Sequence, residues 1–511
     1  MISKLRFLPF NKLIALTFGV LIFSASCKKD PKPGTTVTPT TPIVAATRAE
    51  LTKDSIYLYA KETYYWNEGM PTYGVFKPRS YANDQAVLDA IIKLPGINKP
   101  TDKYSFLDDG GLSASLNGVS GDFGFSVSYQ TLTDLRIKFV SPNSPAATTN
   151  LKRGYQIISL NGRSGDGINY DNRAFVSNAV FGSANSVSLT IKKPDGSTQD
   201  LTISRATYAN NPIFATKLFS VGSKKVGYIV YNSFTTNSGD ALKAEIAKFH
   251  TDGATELIVD LRYNGGGSVA TAVVLTNLLA PASVNGQVMY TTYWTKTMQD
   301  GLASILANQP LYDKNGKLQT FTGGVNGKWA TFADINYKPN GKGNFENFAK
   351  EGSANFKKIY FLVLGGTASA SEMVINNLQG VMNSDIKLIG RKTYGKPVGF
   401  FAIKIDKLDL YIPQFETKNQ KNVGGYYNGI AVDKDLPDDL TKDFGDSSEA
   451  LLAAALSYSE KGIFAVNANN NKLSSLSGMS VTQEKIMNET LLDKNYFNGM
   501  VDDRPKKFKK Q

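Results

Sequence analysis

Along residues 221–460 the apolar positions follow two alternating rhythms. Val226–Tyr231, Leu257–Leu261 and Ile359–Leu364 are short continuous apolar runs, the pattern of strands covered on both faces. Between them, Asp240–Phe249 places Leu242, Ile246 and Phe249 on one helical face. Ala270–Leu279 and Ala370–Met382 also read as helices, and Ile386–Ile389 as a further strand. This alternation predicts an α/β region with an open, mostly parallel sheet over residues 206–460. Residues 281–355 are polar, aromatic and glycine-rich, including Phe321–Trp329, and read as an insertion over that sheet. Residues 117–205 change to short strands and turns. Gly121–Val127 sets Gly124 between Phe123 and Phe125 at a strand start. Ser144–Gly162 reads as a short helix, a turn, a strand and an Asn-Gly turn. Val187–Ile191 and Leu201–Ile203 flank Asp195-Gly196 as a hairpin. Residues 47–115 are helical in pattern, with Ile56, Leu58, Tyr59, Tyr64, Tyr65 and Trp66 on one element and Ala86, Val87, Ala90, Ile91 and Ile92 on another. Residues 461–511 form a polar extension ending in a basic tail, to which the pattern assigns no role.

Length and composition narrow the chemistry. A chain of 511 residues exceeds one hydrophobic core and predicts two to four domains. It holds one cysteine, Cys27, and one histidine, His250. An intramolecular disulfide is therefore impossible, no metal site of Cys and His is expected, and no cofactor is implied. A Ser-His-Asp mechanism would have to use His250, which closes the helix at 240–250 and reads as a structural residue there. The formal charge of +13 is partly concentrated at the two ends, with no basic-aromatic module between them, so no nucleic-acid partner is expected. Lys4, Arg6 and Lys12 precede the apolar run Leu13–Phe23, and Ser24, Ala25 and Ser26 lead to Cys27. That is the order of a secretory signal, too short to span a bilayer comfortably. Small residues before a lone cysteine resemble a bacterial lipobox, with Ser24 where leucine is usual. The resemblance implies lipidation at Cys27, a signal over 1–27 and an envelope location, anchored and facing the periplasm or exterior. A plain signal peptide is the alternative. Residues 28–46, rich in Lys, Pro and Thr, read as a disordered tether.

Three segments carry candidate chemistry. In Gly365–Glu372 an apolar strand gives way to a helix within a few small residues, placing Ser369 at a helix N-terminus beside unpaired N–H groups. The same Ser369…Glu372 spacing is also a capping box without chemistry. In Glu256–Gly267 a buried strand runs into Gly265, Gly266 and Gly267, where backbone can approach a ligand closely. A phosphate loop lacks its Gly-Lys-Ser/Thr here, so an oxyanion hole or a peptide-docking edge fits better. Thr393–Phe400 places Lys396 in a turn. Such a lysine is ordinarily a solvated charge and acts as a base only if burial lowers its pKa.

In this order, behind the 117–205 segment, the three resemble the C-terminal processing (tail-specific) serine peptidases, in a bacterial lipoprotein form. The 117–205 segment resembles a PDZ domain, whose glycine-flanked loop receives a peptide carboxylate while the peptide adds as a strand. Asp102–Ser105, Val226–Phe234 and Gly429–Asp433 agree with the same family. The resemblance implies an open α/β peptidase core of the crotonase and ClpP kind with an inserted PDZ domain and a small helical N-terminal domain. It implies Ser369 as nucleophile, with Ser371 as the alternative register, Lys396 as general base and Glu372 as the acidic neighbour orienting them. The N–H of Ala370 and one from Gly265 or Gly266 would form the oxyanion hole, and Phe123, Gly124 and Phe125 would receive peptide. It implies acyl transfer on unfolded or C-terminally recognised protein segments. The chain departs from the family pattern at Phe400, where glutamine is common, at Pro397, where glycine is usual, and at Arg391-Lys392. Those departures sustain a second reading, a catalytically degenerate peptide-binding lipoprotein. A third, an acyl-thioester hydrolase on a related core, is opposed by the PDZ-like segment.

Overall fold

A computed structural model of the chain describes residues 46–96, 99–313, 316–464, 492–493 and 497–509. Cys27 and the 28–45 tether lie outside the described residues, as does most of the C-terminal extension.

Helix α1 (Arg48–Thr63) begins at Thr47, whose side chain and Glu50 form a reciprocal cap. It packs against α2 (Asp84–Lys93) through Ile56, Val87 and Ile91. The antiparallel β-rich unit follows: β1 (Phe125–Thr131), β2 (Asp134–Val140), β3 (Gln156–Leu160), α3 (Arg173–Phe181), β4 (Ser186–Lys192) and β5 (Thr198–Ser204). Its strands lie in sequential order, and alternate residues such as Val187, Leu189 and Ile191 point into a core closed by Val176 and Val180 of α3.

The central sheet comprises β6 (Ile213–Val221), β7 (Lys224–Tyr231), β8 (Glu256–Asp260), β12 (Lys358–Val363), β13 (Ile386–Gly390) and β16 (Lys434–Asp435), adjacent in that order. Only β6 runs antiparallel to its neighbour. Helices α4 (Gly239–Thr251), α5 (Val269–Leu279) and α6 (Ala370–Met382) cover one face, and α7 (Ala450–Lys461) covers the other. Both faces are dry, which is why these strands read as unbroken apolar runs. The region expected as an insertion also contributes regular structure. Strand β10 (Val288–Trp294) pairs with β11 (Phe345–Asn347) and β15 (Phe415–Asn419), and β15 pairs with β14 (Val398–Gly399) just after Lys396. The N-terminal helices have no core of their own: Ile56, Leu88 and Tyr104 join the cluster that holds Leu257 and Phe361.

The β-rich unit is tied to the core through buried charge. Asp438 Oδ1 accepts from Arg153, just before β3, at 3.0 Å and from Arg262, just after β8, at 3.1 Å. Arg262 also binds Asp260 and makes paired hydrogen bonds to Glu449. Among the described residues no helix is long and apolar enough to cross a membrane.

Candidate active site

Ser369 stands where the central strand β12 ends. Thr367 Oγ1 donates to the Leu261 carbonyl at 2.8 Å, and Ala368 N–H donates to the Asn264 carbonyl, so this turn is pinned to the end of β8. Ser369 itself has φ +59° and ψ −108°, a strained conformation for a residue with a Cβ. Such strain persists only where surroundings hold it, and it presents the side chain at the sheet's edge. The Ser369 hydroxyl is fully buried with no hydrogen-bond partner among the described residues. Ser371, two residues on, donates its hydroxyl to the Asn264 carbonyl at 3.0 Å, so its side chain is committed to fastening α6 to the glycine loop.

Glu372 joins the two chemical segments. Its Oε2 accepts from the backbone N–H of Ser369 and of Lys396, each at 2.8 Å. Its Oε1 accepts from Thr393 Oγ1 at 2.5 Å and Gly395 N–H at 2.7 Å. The serine turn and the lysine turn therefore hang on one carboxylate. Burial pushes that carboxyl upward, and the donors from Thr393, Lys396, Ser369 and Gly395 pull it back only in part.

Lys396 is fully buried. Its Nζ lies 4.1 Å from the Phe400 ring centroid and 5.4 Å from that of Tyr104. Burial pushes its pKa down to about 7, against the opposing pull of Asp102 and Glu372. The N-terminal segment supports this turn: Tyr104 OH donates to the Gly395 carbonyl at 2.6 Å, and Lys103 Nζ to the Tyr394 carbonyl at 2.8 Å. Asp102 is itself held by Tyr64 OH and Ser105 Oγ, both at 2.6 Å. Ile430 N–H donates to Thr393 Oγ1, which brings the Gly429–Asp433 stretch to the same place. Lys396 Nζ does not hydrogen-bond Ser369. It donates instead to the main-chain carbonyl of Asn498 at 2.6 Å.

The glycine loop approaches from the other side. Gly266 N–H is already donated to Asn264 Oδ1 at 2.9 Å, so of the two glycines only Gly265 is left to offer an amide. Ala370 opens α6, and a first helical N–H has no intrahelical acceptor. Phe123 and Phe125 are both buried in the β-rich core, and Gly124 N–H donates to Asp122 Oδ1 at 2.7 Å, so here the amide expected to receive peptide is, like that of Gly266, already engaged. These three residues share one cavity of about 310 Å³ with Arg205, Gly265 and Gly266. The loop expected to receive peptide and the loop expected to hold the oxyanion therefore open onto the same space. His250 sits exposed in the last turn of α4. Among the described residues no three His, Cys, Asp or Glu side chains are grouped to hold a metal.

Asn264, Thr367, Thr393 and Tyr104 lie in the segments the sequence singled out but received no role there, and the segment at 497–503 was not singled out at all. Asn264, Thr367 and Tyr104 act through bonds to main-chain groups distant in sequence, and Thr393 through the Glu372 carboxylate and the Ile430 N–H. The 497–503 segment left one trace, the apolar island Phe497–Val501 inside a polar extension.

Comparison with known proteins matches two stretches of the chain. Residues 225–437 match the model of peptidase family S41, and residues 113–192 match that of the PDZ domain. A carboxyl-terminal-processing protease of Picosynechococcus is 25% identical over 288 residues, 56% of this chain and 56% of its own. A Staphylococcus aureus chain designated a CtpA-like serine protease is 30% identical over 207 residues, 40% of this chain and 39% of its own. The chain thus spans about half the length of the relatives it matches. A solved Bacteroides fragilis structure assigned to the S41 proteases shares the fold, with TM-score 0.55 at 24% identity, over 79% of this chain and 96% of that one. The chain therefore carries a peptidase family S41 domain over residues 225–437, on the sheet that bears Ser369 and Lys396, and a PDZ domain over residues 113–192 before it.

Proposed function

We propose that the protein is a serine endopeptidase in which Ser369 is the nucleophile and neutral Lys396 the general base. The observation that carries this is the Glu372 carboxylate, one oxygen of which holds the backbones of Ser369 and of a fully buried Lys396 together. Lysine is a usable base near neutrality only when desolvation removes its proton, and Lys396 sits in that condition. In the reaction, Lys396 Nζ takes the Ser369 Oγ proton as Oγ bonds to the scissile carbonyl carbon. The oxyanion is met by the N–H groups of Ala370 and Gly265. The C–N bond then breaks, the leaving amine takes the proton from Lys396, and an acyl-enzyme remains. Lys396 next deprotonates a water that attacks the acyl carbon, and as the acyl C–O bond breaks Lys396 returns that proton to Ser369 Oγ, releasing the acid and restoring the free enzyme. Glu372 is a positioning residue. The PDZ loop at Phe123–Phe125 would deliver an extended, C-terminally recognised segment through the shared cavity. We place the enzyme in the cell envelope, tethered by lipid on Cys27.

The test is cleavage of denatured casein by wild type, Ser369→Ala and Ser371→Ala. Ser369→Ala should lose at least about 10³-fold in rate, and Ser371→Ala should retain activity in proportion to its folded fraction. Equal cleavage by wild type and Ser369→Ala would remove Ser369 from the mechanism. One observation favours the degenerate, peptide-binding reading: Lys396 Nζ is engaged by Asn498 and not by the serine. Absence of cleavage by every form, a variant with Asn498 drawn away from Lys396 included, would favour that second reading.

A further inference from the structure

The described part of the C-terminal extension touches both the PDZ unit and the catalytic residues. At one end, Leu492 is 7% exposed and packs in the PDZ core cluster with Val176 and Val180 of α3. Ser177 Oγ, on the same helix, donates to the Leu492 carbonyl at 2.5 Å. Asp493 and Phe497 line the cavity shared by Gly124 and Gly266. At the other end, the Asn498 carbonyl takes Lys396 Nζ. Strand β17 (Gly499–Val501) then lies parallel to β9 (Gly266–Ser268), with Gly499 N–H donating to the Gly265 carbonyl at 2.9 Å. Its other edge is paired as well. Phe400 N–H donates to the Met500 carbonyl at 3.0 Å, and Asp502 N–H to the Phe400 carbonyl at 2.9 Å. The fit is close enough that a Cβ on Gly266 would lie 2.2 Å from the Gly499 oxygen.

We infer that the C-terminal extension is an internal inhibitor: Leu492 and Asp493 hold it on the PDZ unit while Phe497–Val501 occupies the catalytic cleft, and peptide substrate must displace Phe497–Val501. The inference rests on the peptidase reading above. Three observations separate it from a purely structural strand. The strand holds Lys396 Nζ through the Asn498 carbonyl and lies on Gly265 and Gly266, while Ser369 and Lys396 are both fully buried, so substrate reaches the base and the glycine loop only when the strand leaves. The hydrogen bonds holding it in the cleft are made by its main chain, which any extended peptide can supply. Its polarity also protects it from being cut. The segment runs from the PDZ unit toward Lys396, whereas a substrate with its terminal carboxylate at Gly124 would run the opposite way. Residues 502–509 are a separate anchor: Asp502 is buried between Arg504 and Lys506, and Phe508 lies in the main core. Release therefore means detaching Phe497–Val501 from a fixed C-terminal root.

The experiment uses the full chain with Leu492→Asp, and Leu492→Ala as a milder variant, each checked for an unchanged melting transition of the main core. Two readouts are taken: binding of a fluorescein-labelled octapeptide ending in an apolar residue with a free carboxylate, and cleavage of denatured casein. If the segment occupies the surface about nine parts in ten, detaching it tightens apparent peptide binding about tenfold and raises cleavage by a similar factor. A synthetic peptide of residues 488–503 added to Leu492→Asp should restore inhibition. Unchanged binding and cleavage in folded variants would overturn the inference and leave the peptidase reading intact. Reduced cleavage in folded variants would overturn it too, because the segment would then be completing the site. Tighter peptide binding with no cleavage by any form would sustain the inhibitor and remove the peptidase reading instead.

Discussion

Between pH 6 and pH 8 the rate of peptide cleavage should rise about tenfold and then level off. The reason is Lys396, whose pKa burial has lowered to about 7. With that value about one-tenth of the lysine is neutral at pH 6 and about nine-tenths at pH 8. An ordinary lysine near 10.4 would give a rise of about a hundredfold over the same interval and no plateau. The two outcomes are distinguished by kcat/KM for a fluorogenic peptide, taken from pH 5.5 to 10. Phe400→Gln puts a polar acceptor where an aromatic ring now lies against the ammonium, and it should move the inflection up by about one unit. The same shift makes a stability prediction with a definite sign. The unfolded lysine holds its proton up to about 10.4 and the folded one only to about 7, so the unfolded state binds more protons in between. The burial cost is full below pH 7 and disappears as pH rises toward 10.4. Its upper limit is about 5 kcal/mol. Lys396→Met lacks this term, so its stability advantage over wild type in urea should shrink steadily from pH 7 to pH 10. A rate that climbs with unit slope past pH 9, or an advantage that does not change with pH, would refute the argument that desolvation makes Lys396 a base.

Other consequences follow from contacts already described. Glu372→Ala removes the shared acceptor of both turns and should lower kcat at least about 10²-fold with a smaller change in KM, measured by steady-state kinetics. Arg262→Ala leaves Asp260, Asp438 and Glu449 buried without their common cation and should cost about 3–5 kcal/mol in urea unfolding. Gly124→Ala forces a side chain onto a φ of +81° with its Cβ 1.9 Å from Ser144 Cβ. It should abolish binding of the fluorescein-labelled octapeptide while leaving the main melting transition in place.

The peptidase sheet was legible because strands covered on both faces have no polar side to interrupt them. Ile359–Leu364 showed this without ambiguity, and the three candidate segments followed because each lies just beyond the end of such a strand. Strand β10 was harder. Its sequence Val288–Trp294 mixes threonine with aromatics, and its membership of a sheet depends on pairing with Phe415–Asn419, far along the chain. Glu372 was visible as an acid near a serine, but not as the acceptor of four donors, three of them backbone amides that carry no sequence signature. The C-terminal strand escaped for the same reason, since the cleft grips its main chain. Phe400 was read only as a departure from the family pattern. The structure places its ring against Lys396 Nζ and its backbone on Met500 and Asp502, so the position serves the lysine through desolvation and through the strand beside it.

The central claim is that Ser369 is made reactive by a neutral Lys396. The most direct measurement is labelling of the full chain with a serine-directed fluorophosphonate at pH 8, followed by tryptic mapping in wild type and Lys396→Met. The account predicts an adduct on Ser369, formed at least about 100-fold more slowly in Lys396→Met. An adduct on Ser371, or labelling of Ser369 at the same rate without Lys396, would contradict it.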